Sequence, residues 1–209
     1  MLGAKKLKQR HVLKNKGENS MKQSFTKNLV LSAMLLALGM VLPLLTGQIP
    51  QIGNMLLPMH IPVLFCGLIC GWKYGAVVGA VLPLLRYAVF GMPPLFPKGI
   101  SMSFELCTYG LVIGLLYGFS KWQCIVSLYR SLITAMIAGR VVWGIVQCVL
   151  LGFGTNGFTF KLFMTEAFFN AVPGIAIQLV LIPAVMLALN RTGLVKFRKT
   201  AEKAGKSAA

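Results

Sequence analysis

Apolar residues fill this chain in long blocks, without the alternation of a half-buried strand. Six blocks run approximately over residues 28–46, 55–71, 74–91, 100–119, 129–152 and 165–190. Polar or Gly/Pro-rich breaks divide them: TGQIPQIGN, GWK, GMPPLFPKG, SKWQCIVSLYR and GFGTNGFTFK. Each block is near the roughly 20 residues a helix needs to cross a bilayer, although the second is short. The pattern predicts an all-α integral membrane protein with six transmembrane helices over residues 22–195. Residues 1–21 form a basic extension and residues 196–209 a basic tail, both too polar to bury a core and expected to be disordered.

Lysine and arginine orient the blocks. The N-terminal extension, Lys73, Lys121, Arg130 and the C-terminal tail fall on one side, and only Lys98 and Lys161 on the other. Positive residues mark the cytoplasmic face, so both termini are expected there, as an even number of spans requires. The first block follows a long basic lead with no small-residue cleavage site after it, and so reads as a retained span. Met21 opens a normal short lead, MKQSFTKN, and is a candidate second start.

Composition narrows the chemistry. The chain is 56% hydrophobic and only 12% charged, with a mean hydropathy of +0.75. Its acidic residues are four glutamates (Glu18, Glu105, Glu166 and Glu202), with no aspartate. That removes aspartate-dependent phosphoryl transfer and EF-hand calcium binding. The net charge of +17 suggests nucleic acid until it is mapped. Eight of the 21 basic residues lie in residues 1–28 and six after residue 190, a pattern that suits an anionic lipid surface. The five cysteines form no CxxC pair and read as small buried hydrophobes. No Walker A loop, G-x-S-x-G or HExxH occurs, so neither ATP hydrolysis nor a familiar hydrolase site is built in, and no cofactor or metal is expected.

Ionisable groups inside spans are costly and usually face a bundle interior or a cavity. Here they are His60, Arg86, Glu105, Arg140 and Glu166. With both termini inside, all but Arg140 fall in the outer third. Helical spacing sets Ser101, Glu105 and Thr108 on one face of the fourth helix. It does the same for Arg140, Trp143, Gly144 and Gln147 on the fifth, and for Glu166, Asn170 and Pro173 on the sixth. Three polar stripes at matching depth predict an outward-facing ligand pocket lined by His60, Arg86, Glu105, Arg140, Trp143, Gln147, Glu166 and Asn170. The competing reading is internal pairing, Arg86 with Glu105 and Arg140 with Glu166, which would only brace the bundle; the two can coexist. Pro58 and Pro62 flank His60 and predict a distorted outer helix end beside a wet cavity, with His60 pointing into it. Arg86, Arg140 and Lys161 could hold a carboxylate or phosphate. Trp143 and the loop phenylalanines could stack on a flat ring.

In helix one, NLVLSAMLLALGMVLPLL, Ala33 and Ala37 form a small-xxx-small pair that lets another helix approach closely. With this pair, six spans and the run GNMLLPMHIPVLFCGLICGWKYG followed by LPLLRYAVFGMPPLFPKGISMSFELCTYGLVIGLLYG, the chain resembles the substrate-binding S components of energy-coupling-factor (ECF) transporters over roughly residues 22–195. The resemblance implies a non-enzymatic subunit of the plasma membrane that binds one vitamin-like micronutrient from outside. It implies docking through the alanine face of helix one onto a transmembrane coupling subunit driven by two cytoplasmic ATPases. Contact residues differ with the vitamin, and no substrate signature is evident; the side chains suit a heterocyclic vitamin or a carboxylated one such as pantothenate or folate. Two other classes stand beside it: a self-sufficient secondary carrier or channel, and an intramembrane hydrolase using His60.

Overall fold

The computed structural model describes residues 25–44, 58–120, 124–152, 159, 163–165 and 171–192. Among these the fold is all-helical: α1 Phe25–Leu44, then α2 His60–Cys70, α3 Trp72–Phe90, α4 Ile100–Phe119, α5 Ile125–Leu151 and α6 Val172–Arg191. Five of them are long and apolar enough to cross a membrane; α2 is not. Its 11 residues rise only about 16 Å, roughly half the hydrocarbon thickness. Within the span expected over 55–71 the helix begins at His60, and residues 55–57 lie outside the described residues.

That later start changes the meaning of the prolines. Pro58 precedes the helix and Pro62 falls in its first turn. Backbone N–H groups there lack intrahelical acceptors in any case, so a missing donor costs nothing. Pro62 therefore gives no cause for the distorted helix end that the sequence predicts.

The α2 helix is the centre of the bundle. Nearly every residue from His60 to Cys70 is buried, as expected for a helix apolar on all sides. It packs against α3 and α4, and α4 packs in turn against α3 and α5. Gly71, at φ 94°, turns the chain between α2 and α3 in a single residue, a conformation glycine adopts without steric cost.

Glycines also set how closely these helices approach. A Cβ at Gly75 of α3 would stand 2.7 Å from the Gly67 Cα of α2 and 2.9 Å from the Gly110 carbonyl of α4. At Gly79 it would collide with the Leu106 carbonyl, and at Gly110 with the Gly75 carbonyl. Gly75 and Gly79 on one helix, and Gly110 and Gly114 on the other, are two small-xxx-small pairs. They bring the backbones together where apolar side chains alone give no preference over lipid.

The outer helices are apolar on their exposed sides, with Met34, Val77, Val149 and Val180 all more than 60% exposed. A surface of this kind suits lipid. Trp72 and Lys73, the Lys73 Nζ 5.5 Å from the indole centroid, stand together at the start of α3. Such pairs anchor helix ends at a membrane interface.

The loop GMPPLFPKG is folded, not loose. Gly91 caps α3 in the left-handed region, its N–H bonded to the Tyr87 carbonyl at 2.8 Å. The segment Leu95–Gly99 forms a wide turn that packs against α3, α4 and α5. The loops TGQIPQIGN and GFGTNGFTFK lie largely outside the described residues.

Candidate functional site: a buried polar cluster on three helices

The α2, α4 and α5 helices each bring one ionisable side chain to a common point. Glu105 enters from the second turn of α4 and is 2% exposed. Its Oε1 lies 3.2 Å from Arg140 Nη1 on α5 and 3.5 Å from His60 Nε2 on α2. His60 is 1% exposed, so its ring points into protein and not into the expected wet cavity. The Tyr109 ring, one turn along α4 from Glu105, meets the His60 ring edge-on with centroids 5.1 Å apart. Gly139 leaves room for Tyr109 on the α5 side, where an added Cβ would stand 3.0 Å from the ring.

Charge explains why the cluster is tight. A lone carboxylate or guanidinium would be prohibitively costly in this interior, and each needs the other within contact distance. Internal pairing is therefore present, and it differs from expectation at Glu105. Glu105 pairs with Arg140 and not with Arg86.

Arg86 turns the other way. Buried at 4% exposure, it donates from Nη1 to the Met40 carbonyl of α1 at 3.0 Å, and its guanidinium carbon lies 5.5 Å from the Phe90 ring centroid. The Met40 carbonyl belongs to the C-terminal part of α1, the end of a helix that attracts cations. Arg86 thus clamps α3 to α1. The expected partner of Arg140, Glu166, lies outside the described residues with Asn170 and Lys161.

The α5 stripe runs on from the cluster as the spacing predicts. Arg140, Trp143, Gly144 and Gln147 are all buried on one side of the helix. Phe163 lies beside Trp143, centroids 6.2 Å apart and planes 25° from parallel. Its backbone N–H bonds to the Thr159 carbonyl at 3.0 Å, closing a turn that presents the ring. Gly144 permits this approach, since an added Cβ would meet the Phe163 ring at 2.5 Å. Gln147 is 4% exposed, and its Oε1 has no hydrogen-bond partner among the described residues.

The α4 stripe differs from expectation. Ser101 and Glu105 are buried, but Thr108 is only half-buried and bonds its own helix at the Phe104 carbonyl. Tyr109 continues the Glu105 face instead. Its position four residues after Glu105 was a readable signal, obscured because tyrosine counts as an ordinary membrane-edge residue. Gln178 of α6 is likewise buried, at 1% exposure. Among the described residues no group of three or more His, Cys, Asp or Glu converges to hold a metal.

On α1, Ala33 and Ala37 are both exposed, in a smooth strip with Leu29, Val30, Met34, Leu38 and Val41. Ser32 and Gly39 face inward, and Gly39 accommodates the Leu82 side chain of α3.

A family model described as "ECF transporter, substrate-specific component" matches residues 27–187. No curated protein and no solved structure gives a significant match.

Proposed function

The chain belongs to the substrate-specific components of ECF transporters, and from that premise we propose that it captures a vitamin-like small molecule on the outer side of the plasma membrane for ATP-driven import. Six membrane crossings with both termini cytoplasmic belong to this reading, the crossing at α2 including residues before His60. The ligand region lies around the α5 stripe and the adjoining cluster, where His60, Glu105, Arg140, Trp143 and Gln147 gather from three helices. Glu166 and Asn170, outside the described residues, belong to the same proposal. The observation that carries the reading is the family match over residues 27–187 together with this concentration of buried polar groups in an apolar bundle.

The cluster supplies what capture requires. Its buried ion pair ties α5 to α4 beside the stripe, and pre-organisation of this kind lowers the entropic cost of binding. Release then needs an external source of work. In this reading a transmembrane coupling subunit with two cytoplasmic ATPases supplies it, docking on the open Ala33/Ala37 strip. The chain itself performs no chemistry on the ligand.

The test is uptake in proteoliposomes. Small molecules released from the denatured protein are identified by mass spectrometry, and the released compound is then offered to vesicles with and without the coupling module. ATP-dependent uptake only with the module is expected. Uptake without it would move the protein to the class of secondary carriers.

A further inference from the structure

We infer that the ligand is a flat heteroaromatic of no net charge, stacked at Trp143 and donating an N–H to Gln147. This rests on the capture reading above and adds the ligand's chemistry.

Charge comes first. Among the described residues, Arg86 and Arg140 are the cations expected to favour a carboxylate or phosphate. Arg86 is turned to the Met40 carbonyl of α1. Arg140 arrives with its charge balanced by Glu105 at 3.2 Å. An anionic ligand brought to Arg140 would sit beside the Glu105 carboxylate, and like charges repel strongly where water is excluded. A cation would meet the same objection from Arg140. A neutral ligand meets neither.

Shape comes second. Trp143 and Phe163 are nearly parallel, with centroids 6.2 Å apart. A ring between two others needs about 7 Å, two contacts of roughly 3.5 Å. A slight outward shift of Phe163 is enough to admit one. Branched or puckered ligands would not fit between two such planes.

Polarity comes third. Gln147 lies four residues beyond Trp143 on the same buried side, and its Oε1 is a buried acceptor with no partner among the described residues. A buried acceptor left unmet costs free energy that a donor recovers. The complementary ligand edge is therefore a ring N–H or an amide.

The experiment uses the full chain in lipid nanodiscs with Trp72→Phe and Trp122→Phe, so that Trp143 alone reports. Lumichrome, nicotinamide and adenine are the uncharged flat probes; nicotinate and pantothenate are the carboxylates. Saturable quenching by an uncharged probe is expected. Gln147→Leu should weaken it about tenfold or more, while Lys73→Ala leaves it unchanged. A thermal melt confirms that each variant is folded. Tightest binding by a carboxylate, or equal affinity in folded Gln147→Leu, overturns the inference and leaves capture standing. If no probe binds, mass spectrometry of compounds released from the purified protein decides. A flat uncharged compound supports the inference and an acyclic or anionic one overturns it. If nothing is released either, the capture reading falls with it.

Discussion

Glu105 carries more of this structure than any other single residue. Its carboxylate is shared by Arg140 and His60, so removing it strands a buried guanidinium. Glu105→Leu should cost about 3–5 kcal/mol, read as a lower melting temperature in detergent. Replacing both partners, Glu105→Leu with Arg140→Met, should recover most of that loss, because two well-packed apolar residues need no compensation. If the double variant melts as low as the single one, the pair is not the brace described here. At this scale the sequence was only partly legible. It identified His60, Arg86, Glu105 and Arg140 as ionisable and buried, but not who pairs with whom. His60, Glu105 and Arg140 are 35 to 45 residues apart in succession, and nothing local encodes that they share one oxygen. Depth alone suits Arg86 to Glu105, since both fall in the outer third. Only the rotation of α3, which turns Arg86 toward α1, separates them.

Close helix approach sets the element scale. The paired glycines of α3 and α4 give no signal in sequence alone, since Gly75, Gly79, Gly110 and Gly114 lie on two different helices and each pair alone is common in spans. Their meaning depends on being face to face. Gly79→Ala should therefore destabilise the bundle by about 1–3 kcal/mol, the usual cost of overpacking, as its Cβ collides with the Leu106 carbonyl. Gly118→Ala, on the same α4 helix as Gly110 but with nothing within 4 Å of the added Cβ, should be neutral or gain up to about 1 kcal/mol from helix propensity. Chemical denaturation of the two variants side by side checks this, and equal effects would remove the case for backbone contact. The α2 helix shows the same limit in another form. Its apolar run reads as a span, yet the helix starts only at His60 and lies buried in the middle of the bundle. Periodicity cannot distinguish a lipid-facing helix from a core helix when both are apolar all round.

For the whole molecule, the relevant surface is the strip on α1. Ala33→Leu with Ala37→Leu adds bulk where the helix is exposed and touches nothing in the core. Melting temperature and ligand affinity should stay unchanged, while uptake through the coupling module should fall at least tenfold, the effect of losing about 1.4 kcal/mol or more of docking energy. Uptake at the parent rate would mean that another face docks. Arg86→Ala makes a contrasting case. It releases α1 from α3 at Met40 and should lower the melting temperature, with ligand affinity changed less than by Gln147→Leu; a larger loss of affinity would place Arg86 at the ligand.

The sequence by itself determined the class: long apolar blocks can satisfy their backbone only as helices in lipid, and this holds whatever the tertiary arrangement. It also determined that His60, Arg86, Glu105 and Arg140 are buried, because any charge within such a block must turn inward. The stripe Arg140, Trp143, Gly144 and Gln147 was legible for the same reason, as one helix carries all four. Tertiary structure alone decided the pairings, the depth of α2 and the meeting of the glycines. Each of these depends on helix rotation and contact between residues far apart in sequence. Those are set by packing over the whole bundle and leave no mark in any local stretch of the chain.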